Sequence, residues 1–452
     1  MSADLQEALA VANVSPLIQK QIDPVLLEYV RRYSPLMTAV PTKPWGSNVY
    51  YFNQRTALAQ GGFVTDGGAN AVTTSNYVQS SFTVKLLQNV GSVTGFAQAV
   101  TRDLIGDLKA KELQGAAQGL IWDIETAMDW GNSSATLNGQ APQFDGFDSQ
   151  VNTWSGTTQN AVDEAGATLT LAMLDKLIDV VEENAAMPLQ SDWMFVLSPG
   201  MNSSVGQLLL NQQRFEAPQV QIAAGLNVPS YRDVPFVKSS FLAPRGQAGP
   251  TIASSTASSG GSIASSTTYY YQVSAVMGRF GETLASTVLS ATASASNGSS
   301  NTISLTVTAP ATIEGAGPIL YKVYRGTASS GASGPSLLGW IDANDTGGTA
   351  VTTIVDTGTN LLTNTSGKTG PSAYVGTTTG HLPRATGYED IFLVPRNEDF
   401  LVRPYTRELE VINLAPTTSA PDTLPFAIVS DCTLAFRGPK YMGRLRNVKT
   451  SF

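Results

Sequence analysis

The chain has 452 residues, 42% of them hydrophobic, with a formal net charge of −8 at pH 7 and a single cysteine. That length suits one large domain plus a smaller one with a full core. The acidic balance excludes a chain whose main task is gripping nucleic-acid phosphates, and the lone Cys432 excludes an intramolecular disulfide or a thiolate metal cluster.

The charged fraction of 14% is well below the roughly 25% of ordinary soluble proteins, which fits surface buried between copies or an extracellular β-domain. From Leu5 to Arg32 apolar residues mix with Pro16 and Pro24, predicting a short helix and an extended arm. No basic leader precedes an apolar core and no apolar run reaches spanning length, so the expectation is a soluble chain made in a cytoplasm, with no membrane contact.

Between Pro41 and Ser92, Val49, Tyr51 and Asn53 stand at alternating positions. A tip rich in Gly61, Gly62, Gly67 and Gly68 follows, then Val78, Phe82, Val84 and Leu86. This predicts a long two-stranded excursion, and since an isolated hairpin is marginal in water it should lie across a neighbour. Thr101 to Trp130 carries Leu104, Leu108, Leu113, Leu120, Ile124 and Met128 near helical spacing and ends at Gly131. One helix of about 45 Å is expected there.

Thr170 stands where it would cap a second helix bearing Leu174, Leu177, Ile178 and Val181. Trp193, Phe195 and Leu197 read as a buried strand, Ser198 and Pro199 as a helix start, and Val234, Phe236 and Val237 as another strand, making an α+β layer. Between Arg245 and His381 charge nearly vanishes and Ser, Thr and Gly crowd in. There Tyr269, Tyr271, Val273 and Ala275, then Ile319, Tyr321 and Val323, alternate with other residues, predicting a small antiparallel sandwich with Ile303, Leu305 and Val307. Ser254 to Ser266 is its expected flexible entrance and Gly376 to Gly380 its exit. The β-branched segment from Glu389 to Lys449 reads as the return leg of the host.

Catalytic chemistry has little to stand on. The only histidine, His381, lies in a Gly- and Thr-rich loop, and there is no G-x-S-x-G, P-loop, dinucleotide fingerprint or zinc spacing. Asp342, Asn344, Asp345 and Gly347 form an oxygen-rich loop without a closing glutamate, which reads as an Asx turn. Cys432 reads as a small buried hydrophobe. The expectation is no catalytic, cofactor-binding or metal residue, and no enzyme.

Two stretches resemble a known family. One runs from Leu197 to Leu242, with Leu208, Leu209, Leu210 and Asn211, then Asp233 to Val237 and Ser239 to Leu242. The other runs from Ile391 to Lys449, with Phe392 to Asn397, Val402 to Pro404, Pro439 to Tyr441 and Arg446 to Lys449. With the order of elements, they resemble the major capsid proteins of tailed bacteriophages with the HK97-type fold.

The resemblance implies an α+β, HK97-type chain. Its parts would be an N-terminal arm (1–43), an extended loop (44–92), a spine helix with peripheral domain (93–165), a first axial part (166–245), an inserted all-β immunoglobulin- or fibronectin III-like domain (246–382) and a return to the axial and peripheral domains (383–452). Tyr269 stands where such inserts place a corner tyrosine, although its strand precedes that of Tyr321. The implied function is self-assembly, as hexamers and pentamers, into an icosahedral head shell that encloses double-stranded DNA, the insert lying outside. Implied partners are further copies, a separate scaffolding protein, a portal, the packaged DNA, and a decoration protein or host-surface glycan. The implied location is the virion, assembled in the host bacterial cytoplasm. No lysine lies between Trp45 and Val84, so a noncovalent shell is expected.

The expected assembly contacts are Trp45, Gly61, Gly62, Asp66 and Gly67 of the loop, and the basic tail residues Arg437, Lys440, Arg444, Arg446 and Lys449. The tail cluster would meet acidic patches of neighbours or packaged DNA, or form a solvated strand face. Two other readings stay open: an encapsulin-like nanocompartment shell, and a surface adhesin or glycan-binding protein whose sandwich is the active part.

Overall fold

A computed structural model describes residues 35–69, 73–133, 136–137, 141–152, 160–189, 192–210, 219–223, 226–242, 247–254, 258–344, 350–359, 362–364, 369–370, 382–384, 388–418 and 421–450. Most of the expected N-terminal arm, the exit loop and His381 lie outside the described residues.

The body is mixed α/β with strands dominant, and its centre is the strand Trp193–Leu197, whose five side chains are all buried. Period-two alternation explains why. Trp193, Phe195 and Leu197 join Leu174, Leu177 and Val181 of helix Leu171–Ala185 in one core, while Met194 and Val196 join Ile124, Trp130 and Phe147 in another. This strand is the middle of a seven-stranded sheet ordered Ala161–Asp163, Gly443–Lys449, Tyr388–Pro395, Trp193–Leu197, Val234–Lys238, Leu226–Tyr231, Gln219–Ala223. Val234–Lys238 runs parallel to the central strand, with Phe236 opposite Phe195, and Tyr388–Pro395 runs antiparallel on its other side, with Phe392 opposite Val196. The chain thus leaves the sheet on one side of the central strand and re-enters on the other, so everything between is an insertion.

A second host sheet orders Thr42–Pro44, Leu401–Asn413, Thr423–Cys432 and Lys85–Thr94, with Ala435–Phe436 paired to Leu401–Asn413. The long helix packs on it, Leu113 and Leu120 meeting Phe426 and Ile428. That helix is shorter than the single element expected over Thr101 to Trp130. Helix Gly95–Ile105, capped by Thr94 Oγ1 accepting from the Ala97 amide, stops at Gly106. Gly106 has φ +81°, a conformation that favours glycine, and the Asp107 carboxylate then caps a fresh helix, Leu108–Trp130, of 23 residues. The apolar spacing continues across the break, which is why the sequence reads as one helix.

Thr170 occupies the cap position of Leu171–Ala185 without a side-chain cap bond. Ser198 does cap Pro199–Leu210, its Oγ accepting from the Met201 amide at 3.1 Å.

The insert is two antiparallel sheets around one core. Leu289–Thr292, Thr268–Val276, Leu320–Gly326 and Ser336–Asp342 form one; Thr251–Ser254, Asn301–Thr308, Thr353–Asp356, Leu362–Asn364 and Thr369–Gly370 form the other, with Ser258–Ile263 also on Asn301–Thr308. Tyr271, Val273, Ala275, Ile303, Leu305, Tyr321 and Val323 meet inside, as their alternation predicts. The expected flexible entrance at Ser254 to Ser266 is corrected: most of it is strand, because a ladder of backbone hydrogen bonds does not require apolar side chains. The opposite face is also buried. Val276, Leu320, Tyr324, Leu337 and Trp340 belong to the same core as Trp130 and Met128 of the host.

Candidate assembly surface and ionic joint

Val49–Ala57 and Asn76–Thr83 pair antiparallel, from Val49 opposite Thr83 to Arg55 opposite Tyr77. One face of this ribbon is aromatic at its root. Trp45 meets Tyr50 edge-on at 4.8 Å, Tyr50 stacks on Phe52 at 6.2 Å, and Phe52 lies nearly parallel to Phe82 at 5.8 Å. The row sits on Val402 and Ala435, and the Arg437 guanidinium lies 5.7 Å from the Tyr50 ring centre while donating to the Tyr50 hydroxyl. Farther out the floor ends. Val78, on the same face, is exposed, Leu58 is 63% exposed and Phe63 at the tip is fully exposed; on the other face Tyr77 is 66% exposed. Residues 49–83 contain only two formal charges, Arg55 and Asp66.

Gly61, Gly62, Asp66 and Gly67 sit on this exposed tip, where Gly67 turns at φ +76° and the Gly68 amide donates to Thr65 O at 2.8 Å. Trp45 is half-buried at the root of the ribbon, where its indole N–H donates to Val49 O at 2.9 Å and its ring braces Tyr50. A second apolar area continues from the ribbon. Leu86 and Val90 are exposed on Lys85–Thr94, a terminal strand of its sheet, and Phe96 on the next helix is 74% exposed.

The basic tail divides. Lys440 and Lys449 are exposed, Lys440 lying 4.9 Å from the Tyr441 ring centre. Arg444 and Arg446 are interior, which corrects the expectation that they meet neighbours, DNA or solvent. Arg444 reaches Asp148 Oδ1 at 2.6 Å and Asp390 Oδ2 at 2.8 Å. Arg446 Nη2 donates to Glu282 Oε1 at 2.9 Å and Oε2 at 3.2 Å, and to the Tyr324 hydroxyl at 2.8 Å. Lys322 Nζ bridges Asp148 Oδ2 at 2.8 Å and Glu282 Oε2 at 3.0 Å. Lys322 and Arg384 each lie 5.3 Å from the Trp130 ring centre.

Burial alone would raise these carboxyls, but their cations win. Arg446, Lys322 and Arg384 hold Glu282 well below its usual range; Lys322 and Arg444 lower Asp148, and Arg444, Arg384 and Arg446 lower Asp390. The joint is therefore ionised. Sequence reading missed Asp148, Glu282, Lys322 and Asp390, although one signal was available: Lys322 is a charge inside the otherwise apolar run from Ile319 to Tyr324 of a charge-poor insert.

On the long helix, Glu125 and Asp129 are buried one turn apart. Glu125 Oε1 accepts from the Met37 amide at 3.4 Å, and Asp129 Oδ2 accepts from Ser239 Oγ at 2.7 Å. Burial pushes Glu125 up to about 7 and Asp129 well above the usual carboxylate range. At the start of the oxygen-rich loop Asp342 Oδ1 accepts from the Asn344 amide at 2.9 Å, an Asx turn, while Asp345 and Gly347 lie outside the described residues.

An uncovered neutral ribbon on a host body with a charge-locked insert defines a structural chain. The chain belongs to the SU10 major capsid protein family, whose model matches residues 11–242. The match ends where the insert begins. No curated protein matches the chain. Among solved structures it is similar to the holo-SrpI encapsulin complex from Synechococcus elongatus PCC 7942, at 10% identity over 98% of both chains with a TM-score of 0.47. It is similar to Mycobacterium phage Bobi at 8% identity over 97% of this chain and 98% of that one, TM-score 0.49. The capsid of a native GTA particle shares 9% identity over 98% of this chain and 99% of that one, TM-score 0.48.

Proposed function

We propose that this major capsid protein has the HK97-type arrangement and tiles as hexamers and pentamers into an icosahedral, noncovalent head shell around double-stranded DNA. Each hairpin lies across an adjacent copy, with Gly61, Gly62, Asp66 and Gly67 at the docking tip. Exposed Lys440 and Lys449 are the tail cations free to meet a neighbour or the DNA, the scaffolding and portal functions come from other chains, and the insert, an immunoglobulin-like sandwich, faces outward. One observation carries this reading: the ribbon of residues 49–83 leaves its floor and exposes Tyr77, Leu58 and Phe63 on a nearly chargeless arm. A lone soluble chain gains nothing from such an arm, whereas a closed assembly buries it repeatedly.

The test is electron microscopy and sedimentation of the full chain expressed with its scaffolding protein. Closed particles are expected from the wild type, and small oligomers from a Phe63→Asp, Tyr77→Asp variant that keeps its own fold. Particles of normal yield from that variant would sink the reading.

A further inference from the structure

We propose that the inserted two-sheet unit is a structural half of the subunit, which the host cannot fold without, and not a tethered module that carries a separate binding activity. The inference rests on the shell reading only for its location. Its basis is the seam between insert and host.

The seam is charged, buried and two-sided. The insert supplies Glu282 and Lys322, and the host supplies Asp148, Asp390, Arg444 and Arg446, their side chains all at most 2% exposed. Without the insert, Arg446 would lose both Glu282 oxygens and the Tyr324 hydroxyl, and Asp148 would lose Lys322. The host would then lay open Trp130, which now packs against the insert, and leave Arg446 with Asp390 Oδ2 at 3.9 Å as its remaining carboxylate. Without the host, the insert would expose Val276, Leu320, Tyr324 and Trp340 around a buried-type ion pair. Neither half closes alone.

Independent contacts clamp the same seam. Arg279 forks onto Asp123 of the long helix, Nε to Oδ1 at 2.6 Å and Nη2 to Oδ2 at 2.8 Å, and also donates to Gly119 O at 3.0 Å. Beside it Gly281, at φ +71°, lets the insert approach so closely that a Cβ would stand 3.0 Å from Phe241 O and 3.1 Å from the Trp130 indole nitrogen. The connections are sewn down too. The Leu284 amide donates to Gln247 O at 3.1 Å and the Ala285 amide to Arg384 O at 3.0 Å, so the way in and the way out flank one insert segment. A tethered module would instead have solvated linkers and its own finished surface.

The test uses calorimetry on the unassembled full chain, so failure of the shell reading and failure of this inference remain separable. The wild type is expected to melt in one transition. Glu282→Gln, which keeps shape and removes the charge, is expected to lower it by about 3–5 °C, and adding Lys322→Met is expected to recover part of that loss. Replacing 247–382 with a short Gly-Ser linker is expected to abolish soluble protein. A linker variant that is soluble, folded and melts like part of the wild type would overturn the inference, as would two separate wild-type transitions or an unchanged melting temperature for Glu282→Gln.

Discussion

The ribbon of residues 49–83 leaves Tyr77, Leu58 and Phe63 in solvent, while the seam between insert and host hides Glu282, Lys322, Arg444 and Arg446 in the interior. Each region inverts what burial preferences alone would choose. The ribbon's apolar area is open to be covered from outside the chain, and non-directional burial tolerates sliding during docking. The seam is covered by the chain itself, and its fork-shaped, charge-assisted bonds admit one relative posture. One region is built for association between copies and the other for permanence within a copy.

The largest effect expected on the isolated chain comes from breaking the seam. Arg446→Met takes from Glu282 its two-pronged partner, leaving Lys322 and Arg384, and should cost about 3–5 kcal/mol, read by chemical denaturation. A cost below about 1 kcal/mol would show that the charges are not coupled as the distances imply.

Next is a pH effect of opposite sign in two places. Glu125, pushed up to about 7 by burial, and Asp129, raised in the same direction, bind protons more tightly folded than unfolded. Their stabilising contribution is full below the usual carboxylate range; that of Glu125 is lost as pH rises through about 7, and that of Asp129 is lost in the same direction. Asp148, Glu282 and Asp390 are lowered, so their contribution persists above that range and is lost only as pH falls beneath it. Raising the pH from about 5 to about 8 should therefore cost on the order of 2 kcal/mol, a slope that Glu125→Gln flattens in thermal melts. A flat wild-type profile would count against the buried pair.

The ribbon should behave in the reverse way. Phe63→Asp with Tyr77→Asp should change the stability of the isolated chain by less than about 0.5 kcal/mol yet lower particle yield at least tenfold. Smallest of all is Arg232→Ala, which breaks exposed contacts to Asp175 at 3.3 Å and Asp179 at 3.2 Å. Its denaturation midpoint should scarcely move, because such surface pairs contribute about 0–1 kcal/mol.

Much of the fold was legible in the sequence wherever a period could be counted. Trp193 to Leu197, the alternating strands around Tyr271 and Tyr321, and the hairpin through Val49 and Phe82 all formed. The long helix was legible except at Gly106, where a backbone conformation, not a change in apolar spacing, ends the first segment. The seam was illegible for a different reason. The partners of Arg446 and Arg444 lie far away in sequence, Glu282 at a separation of 164 residues, so the cluster reads as surface charge until the topology brings its acids alongside. Leu320, Lys322 and Tyr324 misled similarly: alternation shows that a strand has two faces, and cannot show that both are covered.

Cys432 is wholly inaccessible, with its thiol pushed up by burial. The chain therefore presents no background to thiol-directed probes, and a cysteine placed at Tyr77 would be the only one a maleimide reaches. Its reactivity before and after particles form would give a direct footprint of where the arm goes, without altering any native sulfur.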